Sequence, residues 1–232
     1  MLQPTVSEIP SQITEPIVEE PTQEVADMEP EIPEYMFNDA GMVGFSDSQI
    51  QSDMYNLAIH GNIPLFGEVS VLEIGAGRGD LFTHITSQLS ALNVTYTGYE
   101  SNQLLAKIGN IKLEDQESAS VVADNFLTAE ITETYDRVYI VGSLDVDYGE
   151  NIQPWEHLEM MLRKALDVTN VGGIATCVLL HDNGGEDNYR AFPIPNVTDL
   201  ILKFNMPFDI TYGSIPSIYK LSIKKEPIFI TQ

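Results

Sequence analysis

Basic residues are scarce in this chain, and no Lys or Arg occurs before Arg78. Eleven Lys and Arg face 35 Asp and Glu, for a net charge of −24 over 232 residues. Electrostatic binding to a nucleic-acid backbone needs Lys and Arg at the phosphates, so a DNA or RNA partner is not expected. Cysteine is nearly absent. Cys177 is the one such residue; without a second there is no disulfide framework, and in its apolar stretch it reads as a small core residue. That usage points to a reduced, cytoplasmic setting. No apolar run approaches the roughly 20 residues of a membrane helix, and the N-terminus lacks the basic start and apolar block of a signal peptide. No membrane partner is expected.

Residues 1–40 carry acids from Glu8 to Asp39 with no counter-charge, and Pro4, Pro10, Pro16, Pro21, Pro30 and Pro33 interrupt any regular element. Such a segment cannot bury enough surface to offset its ordering entropy. The expected division is therefore an acidic, Pro-rich arm over 1–40 and a folded domain over 41–232. Two readings of the arm are open. One is a solvated tail; the other is a docking arm whose Ile9, Ile13, Ile17 and Val18 meet a partner in a larger assembly.

The folded part is organised around Val71-Leu72-Glu73-Ile74-Gly75-Ala76-Gly77-Arg78-Gly79-Asp80-Leu81-Phe82. An apolar strand runs into glycines at every second position, and a helix follows with Leu81, Phe82, Ile85 and Leu89 on one face. Glycine permits a tight turn with positive φ and brings bare backbone N–H groups close to a ligand. The dinucleotide spacing G-x-G-x-x-G is not met, because Asp80 stands at its third glycine. The string is E-x-G-x-G-x-G.

That string resembles the first motif of the class I S-adenosylmethionine-dependent methyltransferases. The resemblance implies S-adenosylmethionine as cofactor, with Gly75, Gly77 and Gly79 beneath its methionine and ribose and Glu73 orienting loop N–H groups or water toward it. Val94–Glu100 alternates as a second strand ending on an acid about 20 residues past the loop, where a ribose diol is held; the alternative for Glu100 is the cap of the helix that follows. Ala119–Ala123 is a third strand, followed by Asp124-Asn125-Phe126. The resemblance places an adenine-binding acid at Asp124, with Asn125 beside it and Phe126 or Val122 as the apolar wall, although Asp-Asn is also ordinary turn chemistry.

Tyr135–Val141 reads as the fourth strand, Pro154–Leu166 as an amphipathic helix, Ile174–Leu180 as the fifth strand after Val171-Gly172-Gly173, and Asn196–Asn205 as a last helix. Phe208–Tyr212 and Ser217–Lys224 form a terminal hairpin. The expected fold is α/β: a Rossmann-like, open, mostly parallel seven-stranded sheet with helices on both faces and a C-terminal antiparallel hairpin. Before it, Ser46 or Asp47 starts a helix of about fifteen residues that Gly61 ends, and Met36, Phe37, Phe45 and Tyr55 are lid candidates. Across Phe45–Lys225 the chain is also similar to small uncharacterised bacterial and phage methyltransferase-like proteins, in the Phe45-Ser46 helix start, Gly79-Asp80-Leu81 and the single Trp155 after the fourth strand.

The fourth strand ends at Gly142-Ser143-Leu144-Asp145, where the family places residues facing the methyl acceptor. Neither the N-P-P-Y sequence of amino-directed DNA methyltransferases nor the Pro-Cys of the cytosine C5 class is present. His60 and His157 read as helix-surface residues, His84 lies in the helix after the loop, and His181 is a candidate base at the mouth; no catalytic residue is assigned. Leu180-His181-Asp182-Asn183 is similar to the metal ligands of the catechol O-methyltransferase class, but the acid required at the fourth strand falls on Val141, so no metal is expected. Lys220, Lys224 and Lys225 read as an exposed strand face. The functional expectation is methyl transfer to an unidentified small-molecule or protein acceptor, drawn to a mouth made acidic by Asp145, Asp147, Asp182, Glu186 and Asp187. The alternative is a non-catalytic component of a larger assembly, such as a phage virion, docked by residues 1–40.

Overall fold

A computed structural model of the chain describes residues 48–142, 154–180, 192–215 and 217–227, all within one compact unit. The acidic arm, Met36, Phe37 and Phe45 lie outside the described residues. In order, the elements are α1 (Ser48–Ile59), β1 (Gly67–Ile74), α2 (Asp80–Gln88), β2 (Leu92–Glu100), α3 (Gln103–Lys112), β3 (Ala119–Ala123), β4 (Tyr135–Val141), α4 (Pro154–Asp167), β5 (Thr169–Leu180), α5 (Ile194–Leu202), β6 (Phe208–Tyr212) and β7 (Ile218–Lys224).

The seven strands lie in the order β3-β2-β1-β4-β5-β7-β6. β1 to β5 pair in parallel, and β7 runs antiparallel between β5 and β6. The central strands are apolar on both faces because helices cover both. Leu72, Ile74, Val138 and Ile140 enter one core with Leu158, Leu162, Val197 and Ile201 of α4 and α5. Val69, Val71, Tyr139 and Val141 point the other way, into a core with Met54, Ala58, Leu81 and Ile85 of α1 and α2. Cys177 is buried in the first core, as its setting suggests.

The fold class is the expected one, and local differences at β5 and β7 bear on how the sheet is held. Val171-Gly172-Gly173 is part of β5 and not a lead-in to it. Gly172 takes a φ of 85° and its N–H donates to the Lys225 carbonyl at 2.7 Å, while Lys225 N–H donates to Gly173 O at 3.0 Å. A Cβ on Gly173 would stand 2.8 Å from Asp136 O and 2.9 Å from Asn170 O, both backbone atoms. Gly173→Ala is therefore expected to lower the unfolding free energy by about 2 kcal/mol through overpacking, read from the midpoint shift in urea.

Lys220 is the second difference. It is 3% exposed, and its Nζ donates to the His60 carbonyl at 2.6 Å just past α1. The exposed-face reading holds for Lys224 but fails for Lys220, because the end of α1 covers that part of β7. Burial holds the Lys220 ammonium below its usual pKa, with Asp209 opposing. Close by, Asn62 Nδ2 donates to Thr176 Oγ1 at 3.0 Å and Ser222 Oγ at 2.7 Å, and Arg137 Nε donates to the Asn62 carbonyl. Gly61, with a φ of 71°, ends α1 as anticipated and turns the chain into this seat.

Candidate functional site

Three glycines between β1 and α2 adopt left-handed φ: 73° at Gly75, 52° at Gly77 and 70° at Gly79. The turn folds back on β2, since the N–H groups of Gly75 and Ala76 both donate to the Tyr99 carbonyl, at 2.8 and 3.0 Å. Gly77 N–H donates to Glu100 Oε2 at 2.9 Å, and the other carboxylate oxygen accepts from Asn102 N–H at 2.8 Å. Glu100 is thus a brace between the glycine turn and the start of α3. The helix cap is Asn102, whose side chain accepts from the N–H groups of Leu104 and Leu105. Each Glu100 oxygen retains a further acceptor position.

Gly79 has a packing duty. It is buried, and a Cβ there would meet Leu113 Cδ1 at 2.9 Å. Gly98, which the motif reading did not single out, has a similar one: its Cβ would lie 2.5 Å from Ala76 Cβ. A glycine inside an alternating strand was the available signal, since it marks close approach of another backbone. Glu73 is 1% exposed and accepts from Tyr96 Oη at 2.5 Å. Burial pushes its pKa well above the ordinary carboxylate range against the effect of that hydrogen bond, and Asp80 and Glu100 add to the rise.

Beside the turn opens a cavity of about 280 Å³, near the lower end of small-molecule sites. Ile74, Gly75, Tyr99 and Ser101 line it from β1 and β2; Asp124, Asn125, Phe126 and Leu127 from the turn after β3; and His157 and Met161 from α4. Phe126 stands edge-on to Tyr99 with ring centroids 6.0 Å apart, and Lys164 Nζ sits 5.1 Å over its ring. Asp124 Oδ1 accepts from Asn125 N–H at 2.7 Å and Asn125 Oδ1 from Leu127 N–H at 2.9 Å, which fixes the turn.

Of the residues anticipated for cofactor binding, Gly75, Asp124 and Asn125 line this cavity, and Glu100 falls in sequence between its lining residues Tyr99 and Ser101. Gly77 is joined to Glu100, while Glu73 and Gly79 are buried behind the turn. Phe126 supplies the apolar wall; Val122 is exposed and does not line it. His157 is not a helix-surface residue. It is 7% exposed and faces the cavity, because α4 turns this edge to the sheet and not to solvent. Tyr55 is no lid over the cavity: its ring packs 5.5 Å from His84 in the α1–α2 core, and Gln51 Nε2 donates to its hydroxyl at 3.2 Å. Ser143, Leu144, Asp145, Asp147, His181, Asp182, Glu186 and Asp187 lie outside the described residues. Among the described residues no group of three or more His, Cys, Asp or Glu could hold a metal ion, and no helix is long and apolar enough to cross a membrane.

This sheet order, with a glycine turn after β1 and an acid ending β2, is the fold of the class I S-adenosylmethionine-dependent methyltransferases. An S-adenosylmethionine-dependent methyltransferase from Clostridium acetobutylicum superposes with a TM-score of 0.57 at 10% identity, over 78% of this chain and 93% of that one. The N-methyltransferase NodS from Bradyrhizobium japonicum, in complex with S-adenosyl-L-homocysteine, gives 0.56 at 13% identity, over 77% and 87%. An O-methyltransferase family protein from Burkholderia thailandensis gives 0.57 at 13%, over 77% of this chain and 56% of its own. The chain spans less than two thirds of the length of several such proteins. No protein-family model and no curated protein matches the sequence.

Proposed function

We propose that the chain binds S-adenosylmethionine at the carboxyl ends of β1, β2 and β3 and transfers its methyl group to a small or protein-borne acceptor. The observation that carries the reading is the bond from Gly77 N–H to Glu100, which joins the glycine turn to the acid ending β2 beside a cavity walled by Asp124, Asn125 and Phe126. These residues suit the cofactor's parts. Backbone at Gly75 and Gly77 lets a ligand approach without side chains in the way, and the free acceptor positions of Glu100 fit a ribose diol. Asp124 offers an acceptor to the adenine amino group, and Phe126 and Met161 offer apolar contact to its ring. Gly79 supports the turn from behind, and Glu73 sets a carboxyl group under it. The cofactor supplies a methyl group already activated on a sulfonium; the protein's part is to hold donor and acceptor at near-attack distance.

The acceptor class rests on charge, because the chain offers few Lys and Arg to phosphates. Calorimetry with S-adenosylhomocysteine is expected to give a dissociation constant in the micromolar range, about −8 kcal/mol at 1 μM. No heat and no thermal shift at about 1 mM ligand would remove the cofactor assignment. Transfer of labelled methyl into a lysate is expected to mark protein or small molecules, and label in nucleic acid would refute the acceptor class. Cofactor binding with no label in any fraction would instead favour the assembly-component reading.

A further inference from the structure

The surroundings of the Glu73 carboxyl are built around one bond. Tyr96 Oη stands 2.5 Å from Glu73 Oε2, at the short end for an O–H···O contact. Tyr96 is 1% exposed, and Gly98 makes room for its hydroxyl, since a Cβ at Gly98 would come within 3.0 Å of it. Ionisable groups reach Glu73 from every side. Tyr55 faces it from α1, Asp80 from the start of α2 and Glu100 from the end of β2. Tyr139 of β4 pairs with it in register and is fully buried, its hydroxyl without a hydrogen-bond partner among the described residues. Arg78 and Lys112 both pair with Asp80. A buried carboxyl in such company is costly to ionise until a positive charge arrives.

Resting on the cofactor reading above, we propose that Tyr96 is a positioning residue that holds the Glu73 carboxylic acid beneath the glycine turn, so that binding of the cationic cofactor is coupled to release of the Glu73 proton. In that step the carboxylic O–H bond breaks, the proton passes to solvent, and the carboxylate keeps its hydrogen bond from Tyr96. Tyr96 retains its own proton, because burial and the neighbouring Glu73 hold its pKa above that of an ordinary phenol. Affinity then rises with pH, by about tenfold per unit, until the pKa of Glu73 in the free protein is passed. Above that value it is flat.

Two measurements on the full-length protein test this. The first needs no ligand: the side-chain carboxyl of Glu73 is followed by carbon NMR in glutamate-labelled protein, assigned with Glu73→Gln. Glu73 is expected to hold its proton above the ordinary carboxylate range, and Tyr96→Phe, having lost the donor to the carboxylate, to hold it to still higher pH. The folded state then binds this proton more tightly than the unfolded chain, so wild-type stability falls as pH rises from the ordinary carboxylate range toward the raised value. Glu73→Gln abolishes that fall. A carboxyl signal titrating in the ordinary range overturns the proposal.

The second is calorimetry with S-adenosylmethionine at about pH 6 and about pH 8, in buffers of different ionisation enthalpy. Wild type is expected to release up to one proton and to bind more tightly at the higher pH, by as much as about tenfold per unit below the pKa of Glu73. Glu73→Gln should show neither effect, and Tyr96→Phe should bind about tenfold more weakly with its pH profile displaced upward. Wild-type binding that is flat in pH and independent of buffer overturns the coupling and leaves the cofactor reading standing. Absence of binding at either pH removes both.

Discussion

Glu100→Ala is expected to reduce affinity for S-adenosylhomocysteine by about 100-fold or more while leaving the protein folded. Two effects combine. The carboxylate holds the Gly77 N–H at 2.9 Å and the Asn102 N–H at 2.8 Å, so its loss unpins the glycine turn from β2. On the proposed assignment it also removes both acceptors for the ribose, and hydrogen bonds to a charged group contribute about 1.5–3 kcal/mol each. Glu100→Gln separates the two. Its amide oxygen can keep one of the backbone bonds, so a loss of about tenfold is expected. Equal losses in the two variants would show that the carboxylate charge, and not the brace, dominates; unchanged affinity in both would remove Glu100 from the site.

The second large effect concerns stability. Asn62 is 8% exposed, and its amide joins the end of α1 to β5 through Thr176 and to β7 through Ser222. Asn62→Ala deletes both bonds and leaves two hydroxyls buried with fewer partners, at a cost of about 3 kcal/mol. For a domain of this size that corresponds to a fall in Tm of roughly 6–12 °C. Circular dichroism on heating checks the shift, and a change under 2 °C would mean that other groups satisfy the hydroxyls. A triple substitution Asn62→Ala with Thr176→Val and Ser222→Ala is expected to recover part of the loss, because removing all partners of a buried bond costs less than removing one.

Much of the fold was legible in the sequence wherever turn chemistry bounded the strands. β3, β4 and β6 have the limits anticipated, since Asp124-Asn125, Thr134 and Pro207 or Gly213 punctuate them. β1 begins earlier than its apolar run: Gly67 to Ser70 pair through their backbones with Leu92 to Thr95, and polar Glu68 and Ser70 hid this. From the sequence β5 looks shorter than it is because a double glycine resembles a turn, yet backbone bonds to Lys225 carry the strand through it. At the site, motif spacing put Glu73 and Glu100 at the ends of their strands but said nothing of their partners. Tyr96 and Gly98 sit on β2 among residues whose alternation is ordinary, and only the approach of the turn gives them a role. His157 and Lys220 were misplaced for a shared reason. Polar residues on amphipathic elements are assigned to water by default, and the covering element in each case comes from a distant part of the chain.

The seat of α1 has a bearing on how the protein is made. Asn62 and Ser222 are 160 positions apart, as are His60 and Lys220, so α1 leaves the ribosome long before the strand that fixes its end. Contacts of such separation form late and slow folding. Until β7 joins the sheet, the end of α1 lacks its bonds to Ser222 and Lys220, and its seat stays incomplete.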